Sequence, residues 1–439
     1  MLSRRSWKNI GLKAFDTLKR FNATKAPKPL EGIRVLELGQ LIAGPFCGSI
    51  LGYYGAEVIK IEPPKIGDPL RIWRNLDADG QSPWFRSMAR NKKSVCIDLK
   101  TEKGRNLVKR LAEKSDVLIE NFKPGTMEKW GLGPEDIYPA NPKLIYTRIS
   151  GYGQTGPYSK RPGYASVCEG MGGFRFINGH PGQPPVRPNM SLGDSLAGLH
   201  ATLGVLLSLV AKNKLGQSQA ERTGQVVDVA IYESMLNMME SVIPEYDRFN
   251  QIRQPSGTTL TGIVPTNTYP CKDGKHVIIG GNGDSIYVRL MNAIGRSDLT
   301  GKKYSVNSDR VKEQAAIDGA ISAWTSERTT DQVLEVLEKV SVPAGKIYDA
   351  KDIVEDKHIN ARGMIENVTI GTEEDGRGWN LKVPGMSPVL NTTPGSTEWA
   401  GPDLGAHTDE VLKEVLGLSE QDITELDVNG ITSWTHKEK

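Results

Sequence analysis

Short apolar runs alternate with helical stretches once the chain passes Pro29. Arg34–Leu38 is the first run; a loop over Gly39–Pro45 follows, then a helix-compatible stretch to Tyr54. Glu57–Glu62 forms a second run and stops at Pro63-Pro64, and Ser94–Leu99 forms a third. Between Glu102 and Lys114, Leu107, Val108 and Leu111 share one helical face. Asp116–Glu120 and Leu144–Ile149 are further apolar runs. Strand-length runs alternating with helices predict an α/β fold with a mostly parallel sheet. Ligands on such sheets gather at the carboxyl ends of the strands.

Texture changes after residue 250. Lys272-Asp-Gly-Lys275 reads as a turn between strands Thr266–Tyr269 and His276–Ile279. Gly280-Gly-Asn-Gly283 follows, then helices over Ile286–Ala293, Val311–Trp324 and Thr330–Lys339, which together predict a smaller α+β domain. The expected division is a basic leader over 1–28, a large domain over 29–225, and a linker helix over 226–250. A small domain over 251–345 follows, and a return segment over 346–439 completes the large one. The return segment reads as loops with one helix near Asp409–Leu416.

Composition narrows the function classes. The chain has 439 residues, 38% hydrophobic and 24% charged, within the range of folded domains. Eight Lys/Arg face a single acid, Asp16, over residues 1–28, so the formal charge of +3 describes the leader and the body is mildly acidic. No nucleic-acid surface is expected from such a body. Basic residues interleave with Leu2, Ile10, Leu12, Phe15, Leu18 and Phe21 in the leader. That pattern reads as a mitochondrial transit peptide, giving a matrix location in a eukaryote and a cytoplasmic one otherwise. A solvated basic helix is the alternative. The Leu196–Val210 stretch, interrupted by Gly198, His200, Thr202, Gly204 and Ser208, reads as a buried helix, and no run is expected to span a bilayer. Cys47, Cys96, Cys168 and Cys271 are scattered, which argues against a disulfide framework or a zinc site, and no metal is expected.

Phosphate-loop patterns are absent, and Gly48, Gly52 and Gly55 read as packing positions. One carboxylate stands out. Asp194 follows Gly193 and precedes a long helix-compatible stretch, so it reads as an N-cap facing the positive end of the helix dipole. It is either a capping residue alone or an activated carboxylate.

At this point the motifs add up. Pro29–Leu36, Ala43-Gly-Pro45, Gly55–Glu62, Asn91–Ser94, Glu120–Gly125, Gly151–Pro157, Gly193-Asp194 and Leu404–Leu412 occur in an order that resembles the family III CoA-transferases over nearly the whole body. The resemblance implies a Rossmann-like large domain with a smaller domain, in ring-like subunits that interlock as a homodimer. It implies that Asp194 is the nucleophile, passing through an aspartyl anhydride and an aspartyl-CoA thioester. CoA is then a substrate, and no resident cofactor is expected. Succinyl-CoA or a related dicarboxylyl-CoA is the implied donor, and a free carboxylic acid the acceptor.

The same resemblance assigns CoA contacts to Ile97, Asp98, Leu99 and Lys100, to Asn121, Phe122 and Lys123, to Lys129, and to Arg71. Three departures stand out: Pro63 replaces an arginine of some relatives, Ala165 occupies a position that is usually an acid, and the Gly280 segment lacks a four-glycine run. Gly280–Gly283 is a candidate shield for the intermediate. Two rival readings remain: a 2-methylacyl-CoA racemase-like enzyme, with Tyr164 at the place of its histidine, and a CoA-binding protein without turnover. Tyrosine, with a reference pKa near ~10, is a poor base at neutral pH.

Overall fold

The computed structural model describes residues 27–215, 223–371 and 378–432. All but Pro27 and Lys28 of the basic leader therefore lie outside the described residues. The chain forms two compact units: the first runs to Gly172 and includes Met190–Met238 and the chain from Ala361, and the second holds Gly173–Asn189 and Met239–Asn360.

The first unit is built on six strands: β1 (Arg34–Glu37), β2 (Glu57–Glu62), β3 (Lys92–Cys96), β4 (Val117–Glu120), β5 (Ile145–Ser150) and β6 (Val226–Ala230). Their order is β3-β2-β1-β4-β5-β6, and every neighbouring pair is parallel. This is the doubly wound order of a Rossmann-like sheet. Alternate residues feed opposite faces. Val35, Val58 and Val117 pack on one side with helix α1 (Ala43–Tyr53). Leu36, Ile59 and Leu118 pack on the other with helix α2 (Glu102–Glu113). Thr101 caps α2 by accepting the Gly104 N–H at 3.0 Å, and Leu107, Val108 and Leu111 fill its buried stripe. Each of those side chains contributes about 1.5–3 kcal/mol relative to exposure.

Two strands differ from the sequence pattern. β3 begins at Lys92 rather than Ser94, because the Lys92 ammonium, buried at 1% exposure, pairs with Glu37 at 2.7 Å. Val226–Ala230, read as the start of a linker helix, is the sixth strand of the sheet. Its half-exposed alternation at the sheet edge is the pattern of an edge strand, and helix α5 (Ile231–Leu236) starts only after it.

Helix α3 (Ala165–Met171) and the 24-residue helix α4 (Leu192–Leu215) complete the frame around α5. On α4, Ala197, Ala201 and Val205 lie at spacing i, i+4, i+8 and are buried, and Gly198 admits α1 so closely that a Cβ there would stand 2.7 Å from the Ala43 carbonyl oxygen. The opposite face does not match the expected buried helix. Leu199, Leu203, Leu207 and Val210 are each more than half exposed. By length and composition alone, Leu192–Lys214 is apolar enough to cross a membrane, although its inner face packs on α1 and the sheet.

In the second unit, β7 (Thr266–Pro270) and β8 (His276–Gly280) form the predicted hairpin. Helices α6 (Asp284–Ala293), α7 (Gln314–Ser326) and α8 (Thr330–Lys339) pack Leu290, Ile317, Ile321, Val333 and Leu337 onto it. β9 (Ala344–Lys346) adds to β8. The predicted helix over Val311–Trp324 is interrupted at Glu313, where a shorter helix, Asn307–Lys312, ends. Back in the first unit, β10 (Ile365–Ile370) and β11 (Trp379–Pro384) pair antiparallel within a tail that had read as loops.

Candidate active site

The chain runs outward from β1 through β2 to β3, then crosses to β4 on the other side of β1. Strand order reverses between β1 and β4, and the crevice beyond their carboxyl ends is where such sheets bind ligands. The loop after β1 and the loop after β4 face each other there. Asn121 Nδ2 donates to the Gln40 carbonyl and the Gln40 N–H donates to Asn121 Oδ1, both at 2.8 Å. Phe122 sets its ring edge-to-face on Trp130, centroids 5.1 Å apart.

Ion pairs buried beneath this crevice hold both loops. Lys60 Nζ lies 2.8 Å from Asp68 and 3.0 Å from Glu37 and donates to the Gly39 carbonyl at 2.8 Å. Burial works against the Lys60 charge, yet the Asp68, Glu37 and Glu62 carboxylates outweigh it and hold its pKa above the ordinary value. Lys92 has fewer acids around it. Burial draws it down to about 8 despite Glu37. A Cβ on Gly48 of α1 would overlap the Glu37 carboxylate. On the β4 side, Arg148 bridges Glu120 at 2.8 Å and Glu128 at 2.6 Å, and the Phe122 N–H donates to Glu120 at 2.8 Å. Burial pushes the Glu120 carboxyl up to about 7, with Arg148 opposing.

Asp194 lies at the carboxyl edge of the same sheet. The neighbouring Gly193 packs against Ile231, the residue that follows β6. The N-cap assignment is corrected. Helix α4 begins at Leu192, so Asp194 sits inside the first turn, and the preceding Ser191 carbonyl accepts the Ser195 N–H at 3.1 Å. The dipole still favours a negative charge within that turn. Cys168 is buried, and its thiol is pushed up to about 11 by burial and by the Asp194 and Glu169 charges, as befits an inert structural thiol. The sequence reading did not single out Glu169. It is fully buried, one helical turn beyond Ala165 on α3, and accepts the Gly193 N–H at 3.3 Å. Ala165, where an acid was expected, lies against Gly193 as well. A carboxylate thus stands beside the Asp194 turn, but from the next turn of α3; the i, i+4 spacing of 165 and 169 was the available signal.

The predicted CoA contacts divide. Lys100, Lys123 and Lys129 are exposed, and none of them forms an ion pair among the described residues. Asp98 accepts the Lys100 N–H at 2.9 Å, turning that loop, and Leu99 is partly buried beside it. Ile97 is 1% exposed and its side chain belongs to the core. Asn121 spends its carboxamide on Gln40. Arg71 requires correction: it is buried, with Nε and Nη2 on Glu62 at 2.7 Å each and Nη1 on Gln81 and the Pro402 carbonyl. Its donors are used inside the fold, which makes it a structural residue rather than a phosphate contact. Gly280–Gly283 lies in the second unit, where the buried Arg310 donates to the Asn282 carbonyl at 2.7 Å.

The family model for CoA-transferase family III matches residues 30–408. The chain belongs to CoA-transferase family III. It is 45% identical over 406 residues to a succinyl-CoA–D-citramalate CoA-transferase of Chloroflexus aurantiacus, covering 92% of this chain and 98% of that one. It is 32% identical over 403 residues to the human succinyl-CoA:glutarate CoA-transferase, covering 91% and 89%. Among solved structures, a CaiB/BaiF family protein from Brucella suis superposes with a TM-score of 0.77 at 30% identity, over 89% of this chain and all of that one. The protein is therefore a CoA-transferase, acting on acyl-CoA and carboxylate substrates. The crevice between β1 and β4 and the Asp194 turn lie on one edge of its sheet.

Proposed function

We propose that this CoA-transferase moves CoA from succinyl-CoA to a free dicarboxylic acid through covalent catalysis by Asp194. The observation that carries the reading is the position of Asp194, in the first turn of α4 at the carboxyl edge of the sheet. An Asp194 oxygen attacks the thioester carbonyl; the C–S bond breaks and its electron pair leaves as CoA thiolate, giving an acyl-aspartyl anhydride. The thiolate then attacks the aspartyl carbonyl, releasing succinate and leaving an Asp194–CoA thioester. The acceptor carboxylate attacks that thioester, and the thiolate so freed takes the new acyl group and restores Asp194. No water and no net proton are consumed. The Chloroflexus and human relatives described above are both succinyl-CoA-dependent by name, which supports the donor.

The exposed apolar stripe of α4, Leu199, Leu203, Leu207 and Val210, supports a homodimer in which a second copy covers it. We further propose that CoA is the turnover substrate with no resident cofactor or metal, and that the leader directs the chain to the mitochondrial matrix in a eukaryote. A racemase reading gains no support, since the Tyr164 side chain is 79% exposed and makes no ion pair or hydrogen bond to an acid or base among the described residues.

The test is incubation with succinyl-CoA and no acceptor, followed by hydroxylamine and peptide mapping. The expected product is a hydroxamate on Asp194. Label on another carboxylate, or only exchange of the α-hydrogen of a 2-methylacyl-CoA with solvent, overturns the mechanism.

A further inference from the structure

Leu41, in the loop after β1, has a left-handed backbone with φ of 64°. For a non-glycine residue that conformation costs on the order of 1–2 kcal/mol. Such outliers persist where surrounding structure over-determines them, often at functional sites. Here the first two peptides of the arch are held from outside. Lys60 takes the Gly39 carbonyl, Asn121 takes both backbone groups of Gln40, and the Asp68 carboxylate takes the Leu41 N–H at 3.1 and 3.2 Å. Asp68 and Lys60 are 1% and 2% exposed. The far end of the arch is the Ala43 carbonyl, which lies against Gly198 of α4, one turn beyond Asp194.

Burying charges is weak evidence for added stability, because desolvation offsets their attraction. What the arrangement does supply is one specified backbone path. A glycine at 41 would follow that path without strain, whereas a leucine needs the acceptor.

We propose that Asp68, held by Lys60, is a positioning residue for CoA transfer: it keeps Leu41 left-handed and so fixes the Gly39–Ala43 arch in the crevice beside the helix of Asp194. The inference rests on the site reading given above. Its consequence is that backbone conformation at position 41, rather than the leucine side chain, sets the rate.

The experiment compares Leu41→Gly with Leu41→Val, since a β-branched residue is least able to adopt positive φ. With succinyl-CoA as donor, the Val variant is expected to lose about tenfold or more in kcat, with a smaller change in KM, and the Gly variant to exceed it by about tenfold. Asp68→Asn keeps an acceptor oxygen but loses the charge facing Lys60; its kcat is expected to fall about fivefold, and adding Leu41→Gly to recover about half of that loss. A merely structural role would lower the melting temperature of these variants while leaving kcat per folded enzyme the same. Equal kcat for the Gly and Val variants, or a double variant no better than Asp68→Asn, overturns the proposal. Hydroxylamine labelling in the same set keeps the two readings apart. An unlabelled parent enzyme sinks the aspartyl mechanism, whereas a labelled parent with indifferent Leu41 variants sinks only the arch.

Discussion

Asn121 and Gln40 hold each other across the reversal of strand order, one carboxamide meeting both groups of one backbone residue at 2.8 Å. The first prediction follows from that bond pair. Asn121→Asp keeps the size of the side chain but sets a carboxylate oxygen against the Gln40 carbonyl. A buried acceptor facing an acceptor costs about 1–3 kcal/mol. Steady-state assays are expected to show kcat/KM for the acyl-CoA falling by about tenfold or more. An unchanged value would mean that the loop after β4 does not depend on this clasp.

Asp194→Ala and Asp194→Asn are expected to abolish transfer while leaving the fold in place. Because Asp194 lies within the first turn instead of capping it, the loss in stability should include the charge–dipole contribution, about 0.3–1 kcal/mol. Kinetics and thermal melting of purified variants check both halves. Turnover of the Ala variant within about tenfold of the parent removes Asp194 from the covalent role.

Glu169 gives a third prediction. Glu169→Gln preserves an acceptor for the Gly193 N–H, whereas Glu169→Ala leaves that buried donor unpaired, at a cost of about 1–3 kcal/mol. The Ala variant is expected to be the less stable and the slower of the two. If both match the parent in melting temperature and kcat, the bond at 3.3 Å has no role in ordering the Asp194 turn.

The fold of the central sheet could be read from the sequence because its strands follow simple rules. β2 was placed to the residue, since Glu57–Glu62 is an apolar run closed by two prolines. Recognition of Asp194 came from motif order; its geometry did not, and the cap assignment missed by three residues because the helix starts directly after Ser191. Charge at buried positions hid the rest. Lys60, Lys92 and Asp68 look like solvated residues in a one-dimensional pattern, and only folding brings Glu37 within reach of both lysines. Arg71 was misjudged for the same reason, because its partner Glu62 also lies on a strand that reads as apolar. No periodicity could reveal that one apolar face of α4 is turned outward while the other is buried.

A fourth prediction concerns pH. Glu120 has a folded-state pKa raised to about 7 from 4.5, chiefly by burial. A raised group contributes stability that is complete below its unfolded value and is lost as pH rises through its folded value. Melting temperature should thus fall for the parent relative to Glu120→Gln as pH rises from about 4.5 to about 7, and level off above pH 7. Parallel curves for the two proteins would show that the Arg148 pairing offsets the burial.

A fifth prediction refines the leader boundary. Lys28 pairs with Glu398 at 2.6 Å, so the body begins before residue 29. Deleting 1–26 is expected to leave soluble, active protein, and deleting 1–28 to cost up to about 1 kcal/mol more from the lost pair. Loss of CoA transfer on the shorter deletion would assign the leader to the fold.

Gly48 has a wider meaning than its place in α1 suggests. A glycine inside a helix costs about 1 kcal/mol relative to alanine, so the exchange looks like a stabilising one. Yet the added methyl would act as a wedge, evicting the Glu37 carboxylate and leaving Lys60 and Lys92 to repel each other in a dry interior. Tolerance at position 48 is therefore decided by a neighbouring strand's charge, not by helix propensity. An engineer seeking a more rigid variant of this enzyme would do well to begin elsewhere, since the most ordinary helix-favouring substitution would pull apart the ionic keel beneath its crevice.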